Sequence, residues 1–294
     1  MYLIDSHQHF LDVSRFHYDW IPKDSLLMNN YLPEDIKPFI KTTAVDKTIV
    51  VQAHSSLEET HWLLAIAEAE EFVVGVVGWI DLIDPNVGIV LDTLQKNPYF
   101  KGVRYNWEDE LDPSWLLVSG AVDGLKEIQR RGLPYDFLVK PSNLPYIPRI
   151  MELVPDLHAV IDHIAKPSIV NQEIEPWLTN LREIANFDNI FCKLSGMVTE
   201  ADHRNWNIYD LQPYVNYVLD MFGSDRILLG TDWPVCTLAA SYSQVVQTTT
   251  NLLDQFILDV ESERKISHEN AILFYDLDIL RYEYNDKPNI DATC

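Results

Sequence analysis

Residues 2–10 read YLIDSHQHF, a short apolar run that passes into alternating polar side chains. Such a segment is long enough for one strand and too short for a helix of ordinary length. Working outward, the same kind of segment recurs as KTIVVQA (47–53), FVVGVVGWIDL (72–82), FKGVRYNW (100–107), PYDFLVK (134–140), HAVIDHIAKP (158–167), IFCKLSG (190–196) and RILLGTDWP (226–234). Their starts lie about 25 to 45 residues apart, the spacing that a strand, a helix and two connections require. Between them, EETHWLLAIAEAEEF, PSWLLVSGAVDGLKEIQRR, EPWLTNLREIANF and YDLQPYVNYVLDMF carry apolar residues at helical period, with Pro and Gly marking the connections. Eight βα units predict an α/β fold, a single-domain (β/α)8 TIM barrel over residues 1–277. Ser267 is expected to cap a last helix beginning HENAILFY, and residues 278–294 read as a polar C-terminal tail.

The chain has 294 residues, 47% of them apolar, which excludes a disordered or fibrous protein. A formal charge of -23 repels nucleic acid, anionic membrane surfaces and anionic ligands at long range, so a neutral small molecule is the expected partner. Three widely spaced cysteines, Cys192, Cys236 and Cys294, suggest neither a disulfide framework nor a thiolate metal cluster, and point to a reducing compartment. There is no basic start followed by an apolar stretch and no long apolar run. We therefore expect a cytoplasmic protein without signal peptide or membrane span.

In a barrel of this kind the residues at strand C-termini and in the following loops form the active face. His7 and His9 leave one face of the first strand, together with Asp5, so both imidazoles can converge inside the barrel. Asp232 ends the eighth strand, with small Gly230 leaving room below it. There it can take a proton from water, particularly if burial raises its pKa toward neutrality. His163 ends the sixth strand. Its neighbour Asp162 is expected to point the opposite way, so that only the histidine faces the cavity. His61 and His268 sit in helical stretches and His158 at the far end of its strand, which marks them as packing or surface residues. The loops after strands one and seven, with Phe16, His17, Tyr18 and Trp20 in the first and Glu200, Asp202, His203, Arg204 and Trp206 in the second, are candidate lids.

With the phrases HQHF, SLEETHWLL, VVGWIDL, DHIAKP, CKLSGMVTEAD and GTDWPVC, the sequence from about Leu3 to Leu277 resembles the amidohydrolase superfamily. Within it, the likeness is to the sugar-lactonase group, L-fuconolactonases in particular. That resemblance implies hydrolysis of an aldonolactone to the open-chain sugar acid, as in fucose catabolism. His7, His9 and His163 would then polarise the carbonyl or hold a divalent metal, zinc, with Asp232 as general base and further ligand. Strand five offers no histidine, so a binuclear site is not expected; one zinc, or none, stays open. Gln52, Trp79, Arg104, Asn106 and Lys193 at strand ends, with Trp20, Glu200, Asp202 and Trp206 from the loops, are the candidates for holding the sugar. Cys192, of opposite parity to Lys193, is expected to pack. Rival readings are an acidic, pyrone dicarboxylate-like lactone, a metal-dependent decarboxylation on the same scaffold, and a barrel that only binds a sugar or protein. An acidic lactone would need several arginines, and only Arg104 stands clearly at the rim.

Overall fold

All eight segments form strands, and they lie in one parallel sheet whose order follows the chain. The computed structural model describes residues 2–255 and 259–279. The strands are β1 Leu3–Gln8, β2 Val45–Val51, β3 Val73–Gly78, β4 Phe100–Tyr105, β5 Tyr135–Phe137, β6 Ala159–Ile161, β7 Ile190–Leu194 and β8 Ile227–Leu229. Several are shorter than the sequence suggests, because β5, β6 and β8 leave the ladder after three residues. The helices are α1 Pro33–Ile40, α2 Leu57–Ala69, α3 Val87–Leu94, α4 Ser119–Arg130, α5 Ile147–Leu153, α6 Trp177–Ile184, α7 Ile208–Phe222, α8 Tyr242–Leu253, α9 Val260–Arg264 and α10 Asn270–Phe274. This is a single-domain (β/α)8 barrel.

Alternation along the strands divides the apolar residues into two cores. Outward-facing Val50, Val76, Val103, Tyr135, Phe137, Ile161 and Leu194 pack under the helices. Inward-facing Ile4, Ile49, Val51, Val77, Val160, Phe191 and Leu228 form a second core, joined by Ala271, Phe274, Tyr275 and Leu277 from the C-terminal segment. The loop after β1 has a small core of its own, made by Leu11, Phe16, Tyr18, Ile21 and Leu27 with Ala53.

Ser267 does not cap the last helix. It lies inside a π-turn, Lys265–Glu269, that runs on from α9, and the N-cap of that run is Asp259, whose carboxylate accepts from the Ser262 N–H. Residues 280–294 of the expected tail, Cys294 among them, lie outside the described residues. No described helix is long and apolar enough to cross a membrane.

Candidate active site

The barrel seam and the site coincide. The C-terminal end of β1 and the chain just past β8 are stitched by Asp232 N–H to His7 O at 2.8 Å, by His9 N–H to Trp233 O at 2.6 Å, and by a parallel bridge between Gln8 and Trp233. The side chains meet as a result. His7 Nε2 lies 3.2 Å from His9 Nε2, and Asp232 Oδ1 lies 3.3 Å from His9 Nε2 and 3.8 Å from His7 Nε2. Gly230 makes room for a histidine, not for the aspartate: a Cβ there would stand 2.6 Å from His7 Cβ.

Asp5 does not share the histidines' face. An irregularity between Asp5 and Gln8 shifts the register, and parity changes across it. The Asp5 carboxylate instead accepts from Thr231 N–H, Thr231 Oγ1–H and Tyr242 O–H, anchoring the residue before Asp232. Burial pushes its pKa up to about 6 against those bonds.

His163 arrives by a route the strand pattern hides. β6 stops at Ile161, and His163, Ile164, Ala165 and Lys166 then take φ of 52°, 49°, 62° and 48°, a full left-handed turn of non-glycine residues. Each such residue costs about 1–2 kcal/mol, so the turn is strained. Trp177 Nε1–H to Ile164 O and Lys166 N–H to His163 O hold it. Alternation along β6, with Val160 inward and Ile161 outward, keeps Asp162 inward, and the turn brings in His163, which the same alternation would have sent outward. Asp162 and His163 both converge on His7: Asp162 Oδ1 is 3.3 Å from His7 Nδ1, and the His7 and His163 ring centroids are 4.4 Å apart. His163 Nδ1 meets Ser195 Oγ at 2.9 Å, and its Nε2 faces Asp232 Oδ1 at 3.9 Å. Gly196 is required beside it, with φ +63° and a virtual Cβ 2.6 Å from His163 Nδ1.

Beneath the histidines lies a buried stack of ions. Lys193 is wholly buried, with Nζ 2.5 Å from Asp136 Oδ2, 3.0 Å from Asp162 Oδ1 and 3.2 Å from His7 Nδ1. Tyr275 O–H donates to Asp136 from below, and Arg104 Nη1 reaches Asp162 Oδ2 at 3.4 Å and His7 Nε2 at 3.3 Å. Arg104 Nη2 also donates to Gln52 O. Cationic groups thus face both ring nitrogens of His7, Lys193 at Nδ1 and Arg104 at Nε2. Burial first, and then Lys193, hold the His7 pKa well below its ordinary value, and burial does the same to His163. Asp232 goes the other way from the sequence expectation: burial pushes it up, but His163 and the His9 hydrogen bond outweigh burial, and its pKa falls below the usual carboxylate range.

A cavity of about 130 Å3 opens above these groups, lined by His9, His163 and Asp232, by Trp20 and Arg104, and by Asn106, Glu108, Asp109 and Lys166. Trp20 is fixed by its Nε1–H to Ala53 O, and Asn106 accepts from Gln52 Nε2–H at 2.6 Å. Gln52 and Lys193 are thus behind the wall, not on it. Trp79 is also off the cavity lining. Asp202 caps its own loop through Arg204 N–H, and Trp206 ties that loop to Ala239 O; neither lines the cavity. Glu200 does not line it either, although Lys166, Glu108 and Asp232 are among its charged neighbours. Sequence reasoning turned Asp162 away from the cavity, and missed Asp136 and Ser195 and the rim group Glu108, Asp109 and Lys166. Lys166 had a signal, since it follows His163 by three within DHIAKP.

His7, His9 and Asp232 bring three ligand atoms within 4.8 Å of one another, and His7, Asp162 and His163 form a second such group. The first fits a small divalent cation. Its separations of 3.2, 3.3 and 3.8 Å compare with about 3.3–3.5 Å between ligands bound tetrahedrally at about 2.0–2.2 Å. His9 Nδ1 spends its proton on Val51 O at 2.7 Å, which leaves the Nε2 lone pair facing the site. In the second group, the Lys193 ammonium already lies between His7 and Asp162.

A curated L-fucono-1,5-lactonase from Burkholderia ambifaria is 33% identical, over 94% of this chain and 96% of that protein. Another from Burkholderia multivorans is 34% identical, over 82% and 85%. Among solved structures, an amidohydrolase from Burkholderia multivorans with bound HEPES superposes with a TM-score of 0.88 at 31% identity, covering 94% of this chain and 100% of that one. One from the same species with bound zinc gives 0.87 at 30%, with the same coverage. The amidohydrolase family profile matches residues 4–277, and the chain belongs to that family.

Proposed function

We propose that the protein hydrolyses a neutral sugar lactone, of the L-fucono-1,5-lactone type, to the open-chain sugar acid. One observation carries the reading: a single carboxylate oxygen of Asp232 lies within 3.3 to 3.9 Å of three imidazole Nε2 atoms at the floor of a polar cavity. The names of the relatives supply the substrate class.

Asp232 is anionic when the lactone arrives, and takes a proton from the water that attacks the carbonyl carbon. Arg104 lines the cavity, and its positive charge balances the charge that develops on the carbonyl oxygen. When the ring C–O bond breaks, the proton on Asp232 passes to the departing oxygen, which becomes a hydroxyl of the product. One water is consumed and no covalent link to the enzyme forms. His7, His9 and Asp232 would hold a zinc ion, with His163 beside them, and such an ion supplies Lewis-acid polarisation of the carbonyl.

A pH-indicator assay of aldonolactones tests this directly. Wild type should acidify the solution, and Asp232→Asn should lower kcat by about two to four orders of magnitude with an unchanged melting temperature. Near-normal turnover in the variant would remove Asp232 from the mechanism.

A further inference from the structure

The left-handed turn that delivers His163 delivers a second side chain to the same cavity. Residues three apart on a three-residue turn are eclipsed, and Lys166 follows His163 by three. Its Nζ donates to Glu108 Oε1 at 2.7 Å across the cavity mouth. Glu108 is only 13% exposed in its side chain, and its Oε2 has no hydrogen-bond partner among the described residues. A buried carboxylate oxygen left without a donor is costly unless a ligand supplies one.

We infer that Lys166 and Glu108 form a hydroxyl-binding subsite that takes two neighbouring hydroxyls of the lactone ring, remote from the carbonyl held near Asp232. This rests on the lactonase reading and narrows it to polyhydroxylated lactones. Glu108 Oε2 accepts from one hydroxyl. Lys166, with one of its three N–H groups used on Glu108 Oε1, donates to the next. Asp109 lines the same edge, where burial and then Glu108 raise its carboxyl above the ordinary pKa.

The pairing also decides what is turned away. Lys166 is neutralised by Glu108, and Asp109 and Glu200 lie close by, so a ring carrying carboxylates meets one cation already in use and several acids. Arg104 is tied to Gln52 and Asp162. A neutral polyol fits this lining and a dicarboxylate does not.

The test compares two six-membered lactones, a hydroxylated aldono-1,5-lactone and unsubstituted δ-valerolactone, with wild type, Lys166→Met and Glu108→Gln. For the aldonolactone each variant should raise KM by about ten- to a hundredfold, with kcat within about threefold. For δ-valerolactone kcat/KM should stay within about threefold of wild type. Equal losses on both lactones, or no loss on either, would overturn the subsite. Calorimetry with the matching aldonolactam, which keeps the hydroxyls and resists hydrolysis, separates the two ideas. Should wild type open no lactone while lactam affinity still falls at least about tenfold in Lys166→Met, hydrolysis is wrong and the subsite stands. Lactam affinity that ignores both substitutions sinks the subsite whatever the assay shows.

Discussion

A methyl group at position 230 would stand 2.6 Å from His7 Cβ and 3.1 Å from its backbone nitrogen. The strand cannot yield there, because the neighbouring Asp232 N–H is bonded to His7 O. Gly230→Ala should therefore displace the imidazole, lowering lactonase kcat/KM at least about tenfold and stability by about 1–3 kcal/mol. Denaturant titration together with the indicator assay checks both, and an unchanged kcat/KM would show that His7 tolerates displacement. The low pKa of Asp232 makes a second expectation. An ionised base needs no activation at neutral pH, so the acid limb of the rate profile should fall below the ordinary carboxylate range, not near neutrality. An acid limb near pH 6 or 7 would assign that limb to another group.

Among the elements, the connection after β2 depends on a carboxyl from α2. Glu59 Oε2 accepts from Ala53 and His54 N–H at 2.9 and 2.7 Å, and Ala53 O in turn holds Trp20 over the cavity. Burial pushes the Glu59 pKa from 4.5 up to about 8, so the folded protein holds a proton there that the unfolded chain has released. Its stability contribution is complete below about pH 4.5 and is lost as pH rises through about 8. Melting temperatures of wild type should thus fall relative to Glu59→Gln between about pH 5 and about pH 9. Parallel curves would mean that Glu59 is ionised in the fold. Element periodicity is also what the sequence discloses best. Eight strands and their helices were legible because burial of a sheet on both faces writes long apolar runs. Asp162 and Asp5 were misassigned because parity holds only along an unbroken strand: counted back from His163 it crosses the start of a left-handed turn, and counted back from His7 it crosses a register shift. Lys193 was named as a candidate for holding the sugar, but its depth beneath His7 was not legible, since depth depends on strand stagger around the barrel. Strand-end logic named His7, His9, His163 and Asp232, which do meet. It did not reach Glu108 or Asp109, which sit past β4 in a short 3-10 turn with no period of its own.

For the molecule as a whole, a formal charge of -23 surrounds a cavity whose own charges are mixed. Long-range repulsion should slow anionic ligands and leave neutral ones untouched. Raising ionic strength from about 10 mM to about 200 mM shortens the Debye length severalfold, and kcat/KM for a uronic acid lactone should rise severalfold, with a neutral aldonolactone unchanged. A neutral lactone that responds equally would indicate a salt effect on the protein itself. The inner core has a last consequence. Its lower end is filled by Phe274, Tyr275 and Leu277, and Tyr275 reaches up to Asp136 in the ion stack. These residues are made after every strand. During synthesis the eight strands can therefore pair around a shaft still open to water at its base, and Lys193 and its acids stay hydrated until the final cork is seated.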